Sequence, residues 1–255
     1  MQRTLVVLRR YARWLRDADV DRVDAVATEA IRQARNGGAF VRAVRAELSL
    51  PLRVLSGLEE ARLTHIGVRR VSALRGPTAL IAIGGGSTQI VCGDRQRIEY
   101  AVSVPLGCAR LASQFIRHDP PHQSELTALR AHARRLLGPS VRAMRRFEGT
   151  VIGSSAMIGR LLHAARRPSP PHPRGPRYPA ISRRRLERFV GWLSASTAAQ
   201  RQRLPRLGVQ REAWALPTGI VLLLWMEGCG FARVRSVPGS LREGLMVRAF
   251  QPPWG

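Results

Sequence analysis

An apolar run broken by consecutive glycines constrains this chain more than any other stretch. Residues 79–91 read Ala79-Leu80-Ile81-Ala82-Ile83-Gly84-Gly85-Gly86-Ser87-Thr88-Gln89-Ile90-Val91. The pattern predicts strand, tight turn, strand. Glycines add no side-chain bulk and reach positive φ freely. Successive backbone N–H groups of such a turn can curl into a nest around a phosphate, and the Ser87 and Thr88 hydroxyls add donors. The stretch lacks the lysine of a P-loop and the spacing of a dinucleotide fingerprint. Taken alone it is equally an ordinary glycine-rich hairpin.

The charge balance points to what such a loop would meet. All 42 basic residues are arginine, against 17 acidic ones, for a net charge of +25. Guanidinium forks match phosphate oxygens two at a time, so a polyanion is the expected partner. GC-rich codon usage explains arginine over lysine, but explains the shortage of acids less well. Nucleic acid is the disfavoured polyanion, because aromatic residues are only 5% and no stacking platform is interleaved with the charge. Cys92, Cys108 and Cys229 have no metal-ligand spacing and read as reduced core thiols of a cytoplasmic protein. Met1–Asp17 is charged throughout and reads as no signal peptide. The run Ile220–Met226 is too short to span a bilayer, so no membrane partner is expected.

Periodicity places the elements. Residues 3–16 form an amphipathic helix with Leu5, Leu8, Tyr11 or Ala12, and Leu15 inward. A strand is expected over 22–27, then a helix capped by Thr28 and closed by Gly37-Gly38, a helix over 40–48, a strand over 52–55 and a helix over 58–68. Arg75-Gly76-Pro77 marks a boundary. Strands are expected over 79–83, 90–92, 98–104, 150–153 and 233–237, and helices over 108–116, 124–137, 183–194, 198–204, 211–227 and 241–249. The Pro- and Arg-rich stretch 166–178, within a loop spanning 166–182, reads as irregular. The alternation argues for an α/β class.

Flanking motifs sharpen the reading of the glycine loop. Ala27-Thr28-Glu29-Ala30-Ile31-Arg32-Gln33-Ala34-Arg35-Asn36 and Ser56-Gly57-Leu58-Glu59-Glu60-Ala61-Arg62 precede it. Ser103-Val104-Pro105-Leu106-Gly107 and Ser240-Leu241-Arg242-Glu243-Gly244 follow. In that order and spacing, from about Leu5 to about Val247, the set resembles the Ppx/GppA family of exopolyphosphatases and guanosine pentaphosphate phosphatases. The resemblance implies an actin-like ATPase (ribonuclease H-like) fold of two domains, each on a five-stranded sheet, with the site between them. It implies Mg2+-assisted hydrolysis of terminal phosphoanhydride bonds in polyphosphate or pppGpp. The family opens with three strands and an Asp-x-Gly-Ser-Asn-Ser phosphate loop, and this chain begins after them. Residues 1–77 are therefore expected to be an incomplete first domain with two strands, and 78–250 a complete second one. Unpaired edges are a liability, so the remnant is expected to lean on the second domain or on a partner such as a second copy.

The resemblance also assigns roles. Glu60 corresponds to the glutamate that orients or activates water, and Glu59 beside it reads as structural. Gly84, Gly85, Gly86, Ser87 and Thr88 form the phosphate loop. Thr28, Arg32 and Asn36 fall at i, i+4 and i+8 on one helical stripe, with Arg32 the foremost anion contact. Gly153 and Ser154 stand where a second phosphate loop would be, and Arg242 belongs to the last motif, where it serves mainly to dock the last helix. The family's loop carries two further carboxylates, at positions that here are Ala82 and Gln89. Alanine offers no ligand, and a glutamine carbonyl is a poor one for a hard cation. Two expectations follow: a phosphatase with weakened or lost catalysis, or a non-catalytic binder of polyphosphate or guanosine polyphosphate. None of the histidines has a ligand-like pairing.

Overall fold

In the computed structural model, residues 1–72, 74–165, 180–204, 207 and 211–250 are described. The stretch 166–178 read as an irregular loop lies outside them, as does His172.

The N-terminal elements are α1 (Gln2–Asp17), β1 (Ala25–Ala27), α2 (Glu29–Arg32), α3 (Gly37–Leu48) and β2 (Leu52–Val54). β1 and β2 pair in parallel, Ala25 opposite Leu52 through Ala27 opposite Val54. Leu5 and Ala12 of α1 pack on Phe40, Val44 and Leu48 of α3, with Leu50 and Leu52 beneath. Ala12, not Tyr11, takes the inward position; Tyr11 is exposed and meets Trp14 edge-on.

One expectation fails here. The helix begun at Thr28 ends after one turn, and Gly37-Gly38 opens the next helix instead of closing the first. The reason is a close approach: a Cβ on Gly37 would run into the Ile31 carbonyl, whose carbon lies 3.3 Å away. Only glycine lets the chain fold back there. Asn36 thereby leaves the stripe of Thr28 and Arg32. It becomes the exposed residue ahead of α3, its amide 3.9 Å from the Met1 sulfur.

α4 (Gly57–Ser72) leads to β3 (Thr78–Ile83), β4 (Thr88–Gly93) and β5 (Ile98–Val104), which form an antiparallel meander. Then come α5 (Cys108–Phe115), α6 (Gln123–Met144), β6 (Thr150–Ser154), α7 (Ala156–Ala164), β7 (Ala180–Ser182), α8 (Arg183–Ala195), α9 (Ala198–Gln202), α10 (Glu212–Cys229), β8 (Arg233–Ser236) and α11 (Leu241–Phe250). Among the described residues their sheet has six strands, ordered β5-β4-β3-β6-β8-β7, where five were expected. The extra member is β7, a short antiparallel edge strand on β8. β7 and α7 lie in segments where no strand or helix was expected. α6 runs on through Gly138-Pro139 beyond the end expected at 137, because Leu137, Ser140 and Met144 still face the core.

Every residue of β3 is buried, and its alternation divides the core. Ala79, Ile81 and Ile83 face the layer of α5, α6, α7, α8 and α10. Leu80 faces the opposite side, with Val91, Ile152, Ala61 and Val68. α10 is surrounded, with Ile220 to Met226 all buried, which explains an apolar run with no polar face. Among the described residues no helix is long and apolar enough to cross a membrane. The cysteines are buried free thiols, and burial pushes Cys92 up to about 11 and Cys229 to about 12.

Candidate functional site

Ala82 and Gln89 are cross-strand partners on β3 and β4 and share the face turned toward α4. Between them the chain turns through Gly84–Ser87. The Gly84 N–H donates to the Ser87 carbonyl at 2.8 Å, closing the hairpin. The remaining carbonyls are turned the other way: Gly84 O accepts from Cys108 N at 2.9 Å, Gly85 O from Ala109 N and Arg110 N at 3.1 Å each, and Gly86 O from Gly107 N at 3.2 Å. The loop carbonyls thus cap the N-terminus of α5. This supplies the partners that a helix start lacks. Among the described residues no protein acceptor bonds the N–H groups of Gly85, Gly86 or Ser87.

None of Gly84, Gly85 and Gly86 takes a left-handed φ, contrary to the expected use of these glycines. Space is what the loop requires. A Cβ on Gly86 would stand 3.2 Å from Glu29 Cβ, and one on Gly107 would overlap the Gly85 and Gly86 backbone. Thr88 belongs to β4, where its hydroxyl donates to Leu106 O at 2.8 Å, so that hydroxyl is committed to the fold.

Glu60 lies in the first turn of α4, whose start is capped by Ser56 Oγ accepting from Glu59 N at 3.1 Å. Its side chain is almost fully buried, and burial raises its pKa above the ordinary carboxylate value. Hydrogen bonding and charge from Arg32 and a bond from Ser87 oppose the shift, and the charge of Glu29 adds to it. Ser87 Oγ donates to Glu60 Oε1 at 3.3 Å and accepts from Gln89 Nε2 at 2.9 Å. Gln89 Nε2 also donates to Ser103 Oγ at 3.0 Å. On the other carboxylate oxygen, Arg32 Nη2 donates to Glu60 Oε2 at 3.2 Å. Arg32 is fixed further by Leu55 O at 2.7 Å and Glu29 Oε2 at 2.5 Å. Glu59, one residue away, pairs with Arg53 at 2.7 Å and Arg248 at 2.8 Å. It binds elements together, as a structural residue should.

Glu29 and Arg110 are members of this cluster that sequence reasoning did not single out. Glu29 is almost fully buried, and its Oε1 lies 3.5 Å from Arg110 Nη2. The signal for Glu29 was its place three residues ahead of Arg32 on a helix start, an ion-pair spacing. Arg110 left no signal, because α5 reaches the loop only through the Gly84–Gly86 carbonyls.

The other expected residues divide. Thr28 precedes α2, and its carbonyl accepts from Ile31 N and Arg32 N at 3.0 Å, while its hydroxyl makes no cap. Asn36 is not among the residues gathered around Glu60. Gly153 and Ser154 end β6 beside β3, with Ala82 opposite Ser154. The Ser154 hydroxyl is spent on the Gly239 carbonyl, and a Cβ on Gly153 would meet Ile158 at 2.9 Å. Ser154, Ser155, Pro238, Ser240 and Arg242 line a neighbouring cleft of about 350 Å³. Arg242 is exposed there; α11 is docked by Gly244 against Leu63, not by this arginine.

The donor set does not build a cage for a divalent cation. Among the described residues no three His, Cys, Asp or Glu side chains gather. The two acids facing the loop, Glu29 and Glu60, are bridged by the guanidinium of Arg32, a positive group already between them. His65 is buried on α4, and desolvation lowers its pKa to about 4.

Comparison with known proteins agrees with this architecture. The family model described as the Ppx/GppA phosphatase family matches residues 1–251. An uncharacterized protein of Streptomyces coelicolor is 35% identical over 245 residues, covering 90% of this chain and 70% of that protein. Exopolyphosphatase 1 of Mycobacterium leprae is 31% identical over 230 residues, covering 88% of this chain and 67% of that one. The crystal structure of an exopolyphosphatase from Cytophaga hutchinsonii superposes with a TM-score of 0.82 at 21% identity, over 98% of this chain and 81% of that one. The Aquifex aeolicus Ppx/GppA family member gives 0.78 at 24%, over 97% and 80%. At such identities the structural likeness shows the fold, the α/β actin-like ATPase fold.

Proposed function

The chain belongs to the Ppx/GppA phosphatase family, and from that premise we propose that it is a slow exopolyphosphatase whose water is activated by Glu60. The family enzymes are metal-dependent phosphatases. The acids that this chain retains do not fit a resident divalent ion, because Glu29 and Glu60 already share the Arg32 guanidinium. In this reading residues 1–77 belong to the first actin-like domain and 78–250 form the second, and polyphosphate, the substrate named for the mycobacterial relative, is the substrate here.

The observation that carries the reading is the placement of a buried carboxylate against the glycine loop. Glu60 Oε1 is joined to Ser87 at 3.3 Å, where the N–H groups of Gly85, Gly86 and Ser87 have no protein acceptor among the described residues. A terminal phosphoryl group seated on those N–H groups lies beside a carboxylate whose burial raises its proton affinity. Arg32 holds that carboxylate in place. A water between them loses its proton to Glu60 as its oxygen attacks the terminal phosphorus. The bridging P–O bond breaks, and orthophosphate and a chain one unit shorter leave. General-base assistance of this kind contributes about 10²–10⁴-fold.

The test is orthophosphate release from long-chain polyphosphate with Mg2+ by the whole chain. Slow release is expected, and binding should weaken steeply with added salt, because the attraction comes from exposed arginines within reach of screening. A second reading, a binder without catalysis, is favoured by one observation. Ala82 and Gln89 share the face toward α4, and the amide of Gln89 donates to Ser87 and Ser103 where a carboxylate would accept. Retention of polyphosphate on a filter with no release in the same solution decides for that reading.

A further inference from the structure

We propose that Glu29 is a built-in competitor for the anion site: its carboxylate occupies Arg32 and Arg110, and a phosphate group binds by displacing it. The inference rests on the reading of this cleft as a phosphate site. A carboxylate on a guanidinium mimics a phosphate, since both offer paired oxygens to the same fork. Arg32, the guanidinium beside the glycine loop, holds Glu29 at 2.5 Å, closer than its 3.2 Å approach to Glu60. Arg110 Nη2 lies 3.5 Å from the second oxygen of Glu29. The Glu29 Cβ and Cγ lie where a side chain on Gly86 would go, 3.2 and 3.3 Å from its built Cβ. The stem of Glu29 therefore lies against the glycine loop itself.

Charge gives the consequence. Glu29, Glu60, Arg32 and Arg110 together carry no net charge, although the chain as a whole carries +25. A polyanion drawn to the surface meets a neutralised cluster at the glycine loop. The hold on Glu29 is also incomplete. Its Oε1 is buried and makes no hydrogen bond, because Arg110 stands at ion-pair distance without hydrogen-bond geometry. A buried acceptor without a donor is a costly arrangement, and once a phosphate takes the arginines the displaced carboxylate turns outward, where water supplies that donor. The apparent affinity is the intrinsic one multiplied by the fraction of molecules in which Glu29 has let go, so a small fraction means weak binding. Glu29 thus sets a threshold of anion strength: multiply charged phosphate chains displace it, and weaker anions do not.

The experiment is titration of the whole chain with tripolyphosphate at low salt, without metal. It uses wild type, Glu29→Gln, Glu29→Ala and Glu59→Gln. The last removes the same charge from a structural pair with Arg53 and Arg248. Glu29→Gln is near-isosteric, and Glu29→Ala shows the same release should the glutamine amide re-bond within the cluster. Either Glu29 variant should bind on the order of tenfold tighter than wild type, with Glu59→Gln within about twofold of wild type. Binding by a Glu29 variant alone, with none by wild type, also supports the inference. Equal tightening by Glu59→Gln overturns it, since general charge then explains the gain. Wild-type binding that the Glu29 variants leave unchanged or weaken overturns it while the phosphate-site reading stands. No binding by any variant overturns both. Tighter binding with no orthophosphate release from polyphosphate keeps the inference and removes the catalytic reading.

Discussion

Glu60→Gln is expected to lower orthophosphate release by about 10²–10⁴-fold without lowering the melting temperature. The two halves of that expectation have one cause. Burial raises the pKa of Glu60 above the ordinary carboxylate value, so the fold favours its protonated form. The stability belonging to that form is complete below the ordinary value and declines as pH rises through the raised one. At neutral pH the ionised group therefore works against folding, and a neutral amide removes that burden. Catalysis needs the opposite state, because only the carboxylate accepts a proton from water. Release by wild type should accordingly fall as pH drops through a midpoint above the ordinary carboxylate range. Thermal unfolding and phosphate release measured on the same preparation check both halves. A Glu60→Gln protein that unfolds earlier than wild type contradicts the stability argument. Unchanged release removes Glu60 from the chemistry.

Gly244→Ala is expected to be the most damaging small change in the molecule. α11 crosses α4 at backbone contact. A Cβ on Gly244 would overlap the Leu63 carbonyl oxygen and stand 2.7 Å from its carbon. From the other side, a Cβ on Gly67 would stand 2.5 Å from Gly244 N. Neither obstacle is the flexible end of a side chain, so the helices must separate. Overpacking of this kind costs about 1–3 kcal/mol and sometimes more. For a chain of this size that is roughly 2–12 °C in melting temperature. Because α4 carries Glu60, separation should also reduce phosphate release in the folded fraction. Gly191→Ala is the control. Gly191 lies within α8 with nothing within 4 Å of a built Cβ, so alanine there should stabilise by roughly 0.5–1 kcal/mol. Melting temperatures that order Gly244→Ala at or above wild type would show that the helices have slack.

Much of the fold was legible because it rests on local pattern. The runs of β3, β4 and β5 and the buried α10 could be read from periodicity and β-branched content. The boundary at Arg75-Gly76-Pro77 falls just ahead of β3. Failures came where tertiary contact overrode local punctuation. Gly37-Gly38 reads as a stop, yet it starts α3 because the chain there must pass the Ile31 carbonyl. The helix expected to end at 137 continues through Gly138-Pro139 because its buried face still has a core to cover. β7 is a short strand that exists only as the antiparallel partner of β8.

The sequence by itself determined the chemistry available. It holds a glycine loop, arginine with no lysine, Glu60 on a helix start, and alanine and glutamine at positions 82 and 89. Those are properties of residue type and order, and no fold can add a carboxylate to Ala82. Tertiary structure alone decided who meets whom. It turned the loop carbonyls onto α5, leaving the N–H groups of Gly85, Gly86 and Ser87 without protein partners. It separated Asn36 from Arg32 and spent the Ser154 hydroxyl on Gly239. It also set Glu29 over the glycine loop between Arg32 and Arg110. Such pairings join residues far apart in sequence: 85 positions for Ser154 and Gly239, 189 for Glu59 and Arg248. They arise from the packing of whole elements, which a local reading of side chains does not contain.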